Sequence, residues 1–262
     1  MAAIEAEGEK EMIKVSNLHV SYGGEEVLSG LDADFPRGEI SVILGPNGCG
    51  KSTLLKAIVR LLPTDVGTII LDGQDMAELT QHELSQRIAY LPQVRNVPDI
   101  KVGRLVLHGR FPYLGYPRRY RREDREKVME ALAQVGIDAL KEHQMEDLSG
   151  GQRQKAYLAM ALAQDTNLIL LDEPTTYLDI RNQLDMLKLL RKLSDAGKTI
   201  VMILHDFDLA LQSADHAVLM GEGRVLCSGK PRDVLASETI KRIFEVRPVF
   251  CETEYGLRCF VR

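Results

Sequence analysis

The stretch Gly45-Pro46-Asn47-Gly48-Cys49-Gly50-Lys51-Ser52-Thr53 decides the fold. It has the Gly-x-x-x-x-Gly-Lys-Ser form of a P-loop. Such a loop aims backbone N–H groups inward, toward the dense negative charge of a triphosphate. The positive end of the helix that follows adds to the attraction. Gly45, Gly48 and Gly50 permit the tight path, Lys51 supplies a point charge for the β- and γ-phosphates, and Ser52 offers a hydroxyl to Mg²⁺. The flanks give the motif the context it needs. Glu39–Leu44 reads as a buried strand, and Lys51–Leu61 reads as a helix ended by Pro63. The nine residues from Gly45 to Thr53 are therefore the candidate nucleotide-binding loop, with Cys49 inside it. A cysteine beside Lys51 at a helix N-terminus is expected to have a lowered thiol pKa.

Two further segments narrow the reading. Leu148-Ser149-Gly150-Gly151-Gln152-Arg153-Gln154 introduces a predicted helix over Gln152–Ala163, with Ser149 as its N-cap. That makes a second anion-binding helix terminus in the same chain. Leu168–Leu171 is a short apolar strand that runs into Asp172-Glu173-Pro174. A carboxylate at the C-terminal end of a buried strand suits Mg²⁺ held through water, which is the expectation for Asp172. Glu173 points to the other side of the strand and is the candidate general base for an attacking water.

P-loop, signature and acidic strand end, in this order, resemble the ATPase subunit of an ABC transporter. The resemblance runs from about Ile13 to Leu235. It implies that the nucleotide is ATP, with Mg²⁺, and that two copies pack head to tail. Each ATP then lies between one P-loop and the other copy's Ser149-Gly150-Gly151-Gln152. It also implies roles for residues that the patterns alone leave open. His205, directly after the strand Thr199–Leu204, fits the histidine that contacts the γ-phosphate. Gln93 fits the Q-loop glutamine expected to reach Mg²⁺ and the attacking water, and to sense a membrane partner. Tyr22 fits the aromatic residue that stacks on adenine, a contact worth roughly 1–3 kcal/mol. Asp179 fits the D-loop that links the two sites. Tyr177 stands where the family more often has a small residue or asparagine, and Lys155 where arginine is common. Neither departure is expected to abolish function.

The rest of the chain fits around these motifs as an α/β fold. Residues 13–31 alternate apolar and polar side chains around Tyr22-Gly23-Gly24 and read as antiparallel strands. Thr68–Leu71 reads as a strand closed by an Asp72-Gly73 turn. The helical periodicity of Val102–Leu107 and Glu123–Val135 marks an inserted helical subdomain. Beyond Gln152, helices alternate with the strands Leu168–Leu171 and Thr199–Leu204, which implies a mainly parallel sheet. Ile180–Asp195 and Phe207–Ser213 are the helices, and short strands follow near Ala217–Met220 and Arg224–Cys227. The expected layout is one ABC ATPase domain over 1–262. Residues 12–93 and 160–235 form the P-loop NTPase core with a small antiparallel β-subdomain. Residues 94–159 form the helical subdomain with the signature, and 236–262 a tail with a hairpin near 249–261.

Bulk properties set limits. In 262 residues, 45% are hydrophobic and 27% charged, ordinary values for a globular chain. A net charge of −5 gives no reason to expect nucleic acid as a partner. No apolar run approaches the roughly 18–20 residues that span a bilayer. Residues 1–10 are acidic where a signal peptide would be basic and then apolar. Cys49, Cys227, Cys251 and Cys259 show no metal-ligand spacing and are expected to be free thiols, although Cys251 and Cys259 share the candidate hairpin.

The helical insert carries the finer resemblance. Val102–Gly115, the basic run Arg118–Arg125, His205–Ala210 and Gly229–Val234 resemble the ATPases of iron-siderophore, haem and cobalamin importers. That group pairs an ATPase dimer with two integral-membrane permease subunits and an external binding protein. It sits peripherally on the cytoplasmic face of the cell membrane. A lipid or lipopolysaccharide exporter ATPase would share the nucleotide motifs but not this insert. A soluble iron–sulfur-cluster-assembly ATPase usually carries glutamate where this chain has Gln152.

Overall fold

The computed structural model describes residues 11–93, 97–176, 178–254 and 256–262. Residues 1–10, the 94–96 start of the expected helical subdomain, and Tyr177 lie outside the described residues. The chain opens with two long strands, β1 (Glu11–Tyr22) and β2 (Glu25–Pro36), joined across Gly23-Gly24. With β4 (Val66–Leu71) and the two-residue β5 (Gln74–Asp75) they make an antiparallel sheet in the order β2-β1-β4-β5. Asp72 and Gly73, both with positive φ, form the turn between β4 and β5.

The central sheet has the order β10-β9-β3-β8-β7-β6. Its strands are β3 (Ile40–Leu44), β6 (Ile88–Leu91), β7 (Leu168–Leu171), β8 (Thr199–Ile203), β9 (His216–Gly221) and β10 (Arg224–Gly229). All pairings are parallel except that of the edge strand β10. Because strand side chains alternate between faces, the sheet divides its apolar residues between two cores. Val42, Leu44, Ile169, Leu171, Ile200 and Met202 face the helical side. Ile43, Leu168, Leu170, Val201, Ile203 and Val218 face the antiparallel sheet.

Helix α1 (Lys51–Ile58) follows β3 across the P-loop. It stops sooner than the expected Leu61, because Arg60 turns left-handed and Leu61 N–H bonds back to the Lys56 carbonyl at 2.8 Å. Helix α2 (Gln81–Arg87) and strand β6 were not foreseen. Thr80 and Glu83 form a reciprocal capping box at the start of α2. Between β6 and β7 lie the helices α3 (Val102–Leu107), α4 (Arg122–Gln134) and α5 (Gly150–Ala163). Arg110 and Asp124 form an ion pair of 3.0 Å there, with only 10% and 7% of their side chains exposed. After β7 come α6 (Ile180–Asp195), α7 (Phe207–Ser213), α8 (Pro231–Ala236) and α9 (Glu238–Phe244). The last two were also unforeseen, although Pro231 at the first helical position signals the start of α8. The chain ends in the expected hairpin, β11 (Pro248–Thr253) and β12 (Gly256–Val261). Its register sets Cys251 opposite Arg258 and Phe250 opposite Cys259, so the two thiols do not face each other, and all four cysteines are free.

Candidate functional site

The C-terminal ends of β3, β6, β7 and β8 converge on one edge of the sheet, where ligands of open α/β sheets bind. The P-loop leaves β3 there. A side chain on Gly45 has no room: a Cβ would lie 2.5 Å from the Met220 carbonyl oxygen and 2.7 Å from Cys49 Sγ, and φ is +156°. Lys51 is buried, and its ammonium donates to the carbonyls of Gly45 and Pro46, both at 2.8 Å. The positive charge is thus folded back over the mouth of the loop.

Asp172 stands at the end of β7, 4% exposed. Ser52 Oγ donates to its Oδ1 at 2.9 Å, and Tyr90 Oη to its Oδ2 at 3.3 Å. Burial pushes the Asp172 carboxyl up, and the adjacent Glu173 charge adds to this against the Ser52 and Tyr90 hydrogen bonds.

Glu173 has φ of +51°, an uncommon conformation for a side-chain-bearing residue. That turn directs its carboxylate to three donors from three segments. Gln93 Nε2 donates to Oε2 at 2.8 Å, Thr176 Oγ1 to Oε2 at 3.1 Å, and His205 Nε2 lies 2.6 Å from Oε1. Burial alone would raise this carboxyl; the hydrogen bonds of His205 and Thr176 and the charges of His205 and Lys51 outweigh it and hold it below the ordinary range. The group is ionised at neutral pH, as a proton acceptor must be.

The signature helix α5 begins as the sequence suggests. Ser149 is its N-cap, and Gln152 returns a side-chain bond of 3.0 Å to the Ser149 N–H. Gly151 is closed against α6: a Cβ there would lie 2.8 Å from Asn182 Cγ. Asn182 in turn donates from Nδ2 to Asp179 Oδ2 at 2.9 Å, and Asp179 caps α6. So Gly151 and Asp179 are joined within one chain through Asn182, a side chain the sequence had not singled out. Tyr22, at the end of β1, keeps 70% of its surface exposed.

Three residues of the cluster escaped the sequence reading. Tyr90 and Thr176 have no local signature of their own; they stand three residues before Gln93 and three after Glu173. Asn182 was hidden inside a helix. One expectation is overturned. Cys49 is 6% exposed, and burial raises its thiol pKa by more than the nearby Lys51 charge lowers it.

The ABC transporter family profile matches residues 28–176. The chain belongs to the ABC transporter family. The ABC ATPase is 42% identical to the achromobactin transport ATP-binding protein of Dickeya dadantii over 87% of this chain and 86% of the relative. It is 40% identical to the ferric enterobactin transport ATP-binding protein of Escherichia coli, over 95% and 89%. It is 37% identical to the iron(3+)-hydroxamate import ATP-binding protein of Bacillus subtilis, over 89% and 88%. Among solved structures, a chain of a transporter described as metal-chelate type, in an inward-facing conformation, superposes with a TM-score of 0.83. The two share 28% identity over 97% of both chains. The fold is that of ABC ATPase cassettes, and the activity is ATP hydrolysis. Among the described residues, no helix is long and apolar enough to cross a membrane.

Proposed function

We propose that this ABC ATPase drives the import of an iron chelate, a siderophore or haem complex, or of cobalamin. It would work as a head-to-tail homodimer on the cytoplasmic face of the membrane, beneath two permease subunits served by an external binding protein. The whole chain would act as one ATPase domain, with 12–93 and 160–235 as nucleotide core and 94–159 as the permease-facing helical part. The carrying observation is the Glu173 carboxylate, bonded to Gln93, Thr176 and His205 beside the Ser52–Asp172 pair. The cargo class rests on the achromobactin, ferric enterobactin and iron(3+)-hydroxamate names of relatives at 37–42% identity.

In this reading the P-loop from Gly45 to Thr53 binds the triphosphate, with Lys51 swinging its ammonium from the Gly45 and Pro46 carbonyls to the phosphates. Tyr22, exposed at its strand end, stacks on the adenine. Glu173 takes the proton from the attacking water while Gln93 and His205 fix its carboxylate. His205 also faces the γ-phosphate. Ser149, Gly150, Gly151 and Gln152 of the second copy close the site from the far side, with that copy's helix α5 aimed at the phosphates. Asp179 links the two sites through Asn182 and Gly151. The Ser52 hydroxyl and the buried Asp172 carboxylate, 2.9 Å apart, are oxygen donors of the kind Mg²⁺ prefers, with Gln93 within the same cluster. Bound Mg²⁺ would supply charge stabilisation to the phosphoryl oxygens. Closure of the dimer on ATP and its opening after hydrolysis do work on the permease. A cleft of about 240 Å³ lined by Lys101, Arg104, Leu107, Arg125 and Met129 lies on the helical part.

The test is a mild-detergent pull-down of the tagged chain from its own cell. A polytopic permease should co-purify, and the cognate binding protein should raise ATPase activity in the reconstituted complex. A soluble cluster-assembly partner and no membrane protein would overturn the transport assignment.

A further inference from the structure

Among the described residues the His205 ring makes one hydrogen bond, from Nε2 to Glu173 Oε1 at 2.6 Å. Its side chain is 42% exposed, and it lines a cleft of about 630 Å³ together with Phe207, Phe244 and Phe260. A ring with open space beside it takes its orientation from that single bond and from its backbone. Upstream, that backbone is fixed to the sheet, since Leu204 N–H bonds the Ile43 carbonyl at 3.3 Å. Downstream it enters α7, a helix of seven residues, too short to be stable on its own. Its first turn is capped by Asp206, whose Oδ1 accepts the Leu209 N–H at 2.9 Å, and is gripped a second time from outside.

The grip comes from the C-terminal hairpin. Asp208, in the first turn of α7, accepts the Arg258 fork. Nε lies 3.1 Å from Oδ1 and 3.0 Å from Oδ2, and Nη2 lies 2.7 Å from Oδ2. The Cys259 N–H adds a bond of 2.9 Å to Oδ1. Cys259 itself is buried in the main core, which anchors β12. On the other side of the turn, the Phe207 ring meets the Phe244 ring edge-on at 5.0 Å. A bidentate Arg–carboxylate pair fixes geometry as well as charge. The hairpin thus holds Asp208, three residues after His205, while among the described residues none of its hydrogen bonds reaches Lys51, Ser52 or Asp172.

We propose that the C-terminal hairpin is a brace for the hydrolytic step, in which Arg258 and Asp208 are positioning residues that hold His205 against Glu173. This rests on the roles proposed above for Glu173 and His205. Loss of the brace lets the His205 ring swing into the adjoining cleft. It leaves the P-loop, and so nucleotide binding, intact.

The experiment measures kcat and the Kd for ATP in full-length Arg258→Ala, Arg258→Lys, His205→Ala and the Arg258→Ala/His205→Ala double variant, with the Tm of each. Misplacement of a positioned group predicts that Arg258→Ala lowers kcat about 5–20-fold with Kd within about twofold. Arg258→Lys keeps the charge without the fork, so its kcat falls between Arg258→Ala and wild type, about 2–5-fold below wild type. On the His205→Ala background, Arg258→Ala should cost less than about twofold more, because both act through one group. Unchanged kcat in Arg258→Ala, equal loss of kcat and ATP affinity, or a full additional loss in the double variant would overturn the brace. If Arg258→Ala does not fold, Arg258→Lys decides, and wild-type kcat there overturns it. A His205→Ala protein with normal kcat would instead sink the reading of the hydrolytic site, and the brace with it.

Discussion

Replacing Glu173 by glutamine separates chemistry from packing. The carboxylate uses Oε2 to accept from Gln93 and Thr176, and Oε1 to meet His205 Nε2. Glutamine has the same length. Its amide oxygen can keep the Gln93 and Thr176 bonds, and its NH₂ can donate to an unprotonated His205 nitrogen. The cluster therefore stays closed, and what disappears is the oxygen that takes a proton. A general base contributes about 10²–10⁴ in rate, so kcat should fall by that factor. The corresponding rise in barrier is about 3–5.5 kcal/mol. ATP affinity should stay within about threefold, since the P-loop contacts are untouched. The assay is phosphate release under single-turnover conditions, beside nucleotide binding and size-exclusion chromatography with ATP, where the variant should accumulate as a closed dimer. The pH dependence has a definite sign. The folded Glu173 pKa is lowered, so its ionised form contributes stability that is present at neutral pH. That contribution is lost as pH falls through the folded value, so the Tm difference between wild type and Glu173→Gln should shrink as pH falls below the ordinary glutamate value. Hydrolysis above a tenth of the wild-type rate would refute the base assignment. Loss of ATP binding in parallel with hydrolysis would refute the separation of chemistry from packing.

Thiol reagents should find Cys251 first, because it is exposed while Cys49 is buried with a raised pKa. Mass spectrometry at pH 7 should show Cys49 modified slowly, faster as pH rises, with ATP binding lost as it reacts and bound ATP protecting it; Cys49 reacting ahead of Cys251 would contradict this. Gly45→Ala should abolish ATP binding, since the new Cβ would sit 2.5 Å from a backbone oxygen; normal binding by isothermal calorimetry would show that the loop yields. Asp124→Asn leaves the Arg110 charge buried without its partner and should cost about 3–5 kcal/mol in urea unfolding. A change below about 1 kcal/mol would mean that the remaining Arg110 bond to the Ala163 carbonyl suffices.

The chemistry of this chain lies mostly in local patterns, and those were readable. The P-loop needs a strand before it and a helix after it, and both lie within a few residues. Ser149 and Gln152 cap α5 through a bond spanning three residues. Glu173 follows an apolar strand directly. What stayed hidden depends on distance or burial. β6 has four residues, between a capped helix and Pro92, too few for a period to emerge. The Thr80–Glu83 capping box has no apolar period behind it, so helix α2 went unread. The Asp208–Arg258 pair joins positions fifty residues apart, and neither side chain has a local signature. Cys49 shows the other failure. The sequence displays the neighbouring Lys51 charge and the helix end but not the burial, and burial decides the sign of the shift.

Two inactive subunits mixed together test most directly whether the ATP sites are shared between copies. Lys51→Ala loses the P-loop charge, and Ser149→Arg blocks the signature helix end; each alone should hydrolyse no ATP. In a head-to-tail heterodimer of the two, one site combines both lesions and the other combines an intact P-loop with an intact signature. Heterodimers make up about half of a random mixture, so about a quarter of all sites should be restored. The account predicts that mixing regains ATP hydrolysis to roughly that extent under the same protein concentration. A mixture that forms heterodimers and stays as inactive as its two components would contradict it.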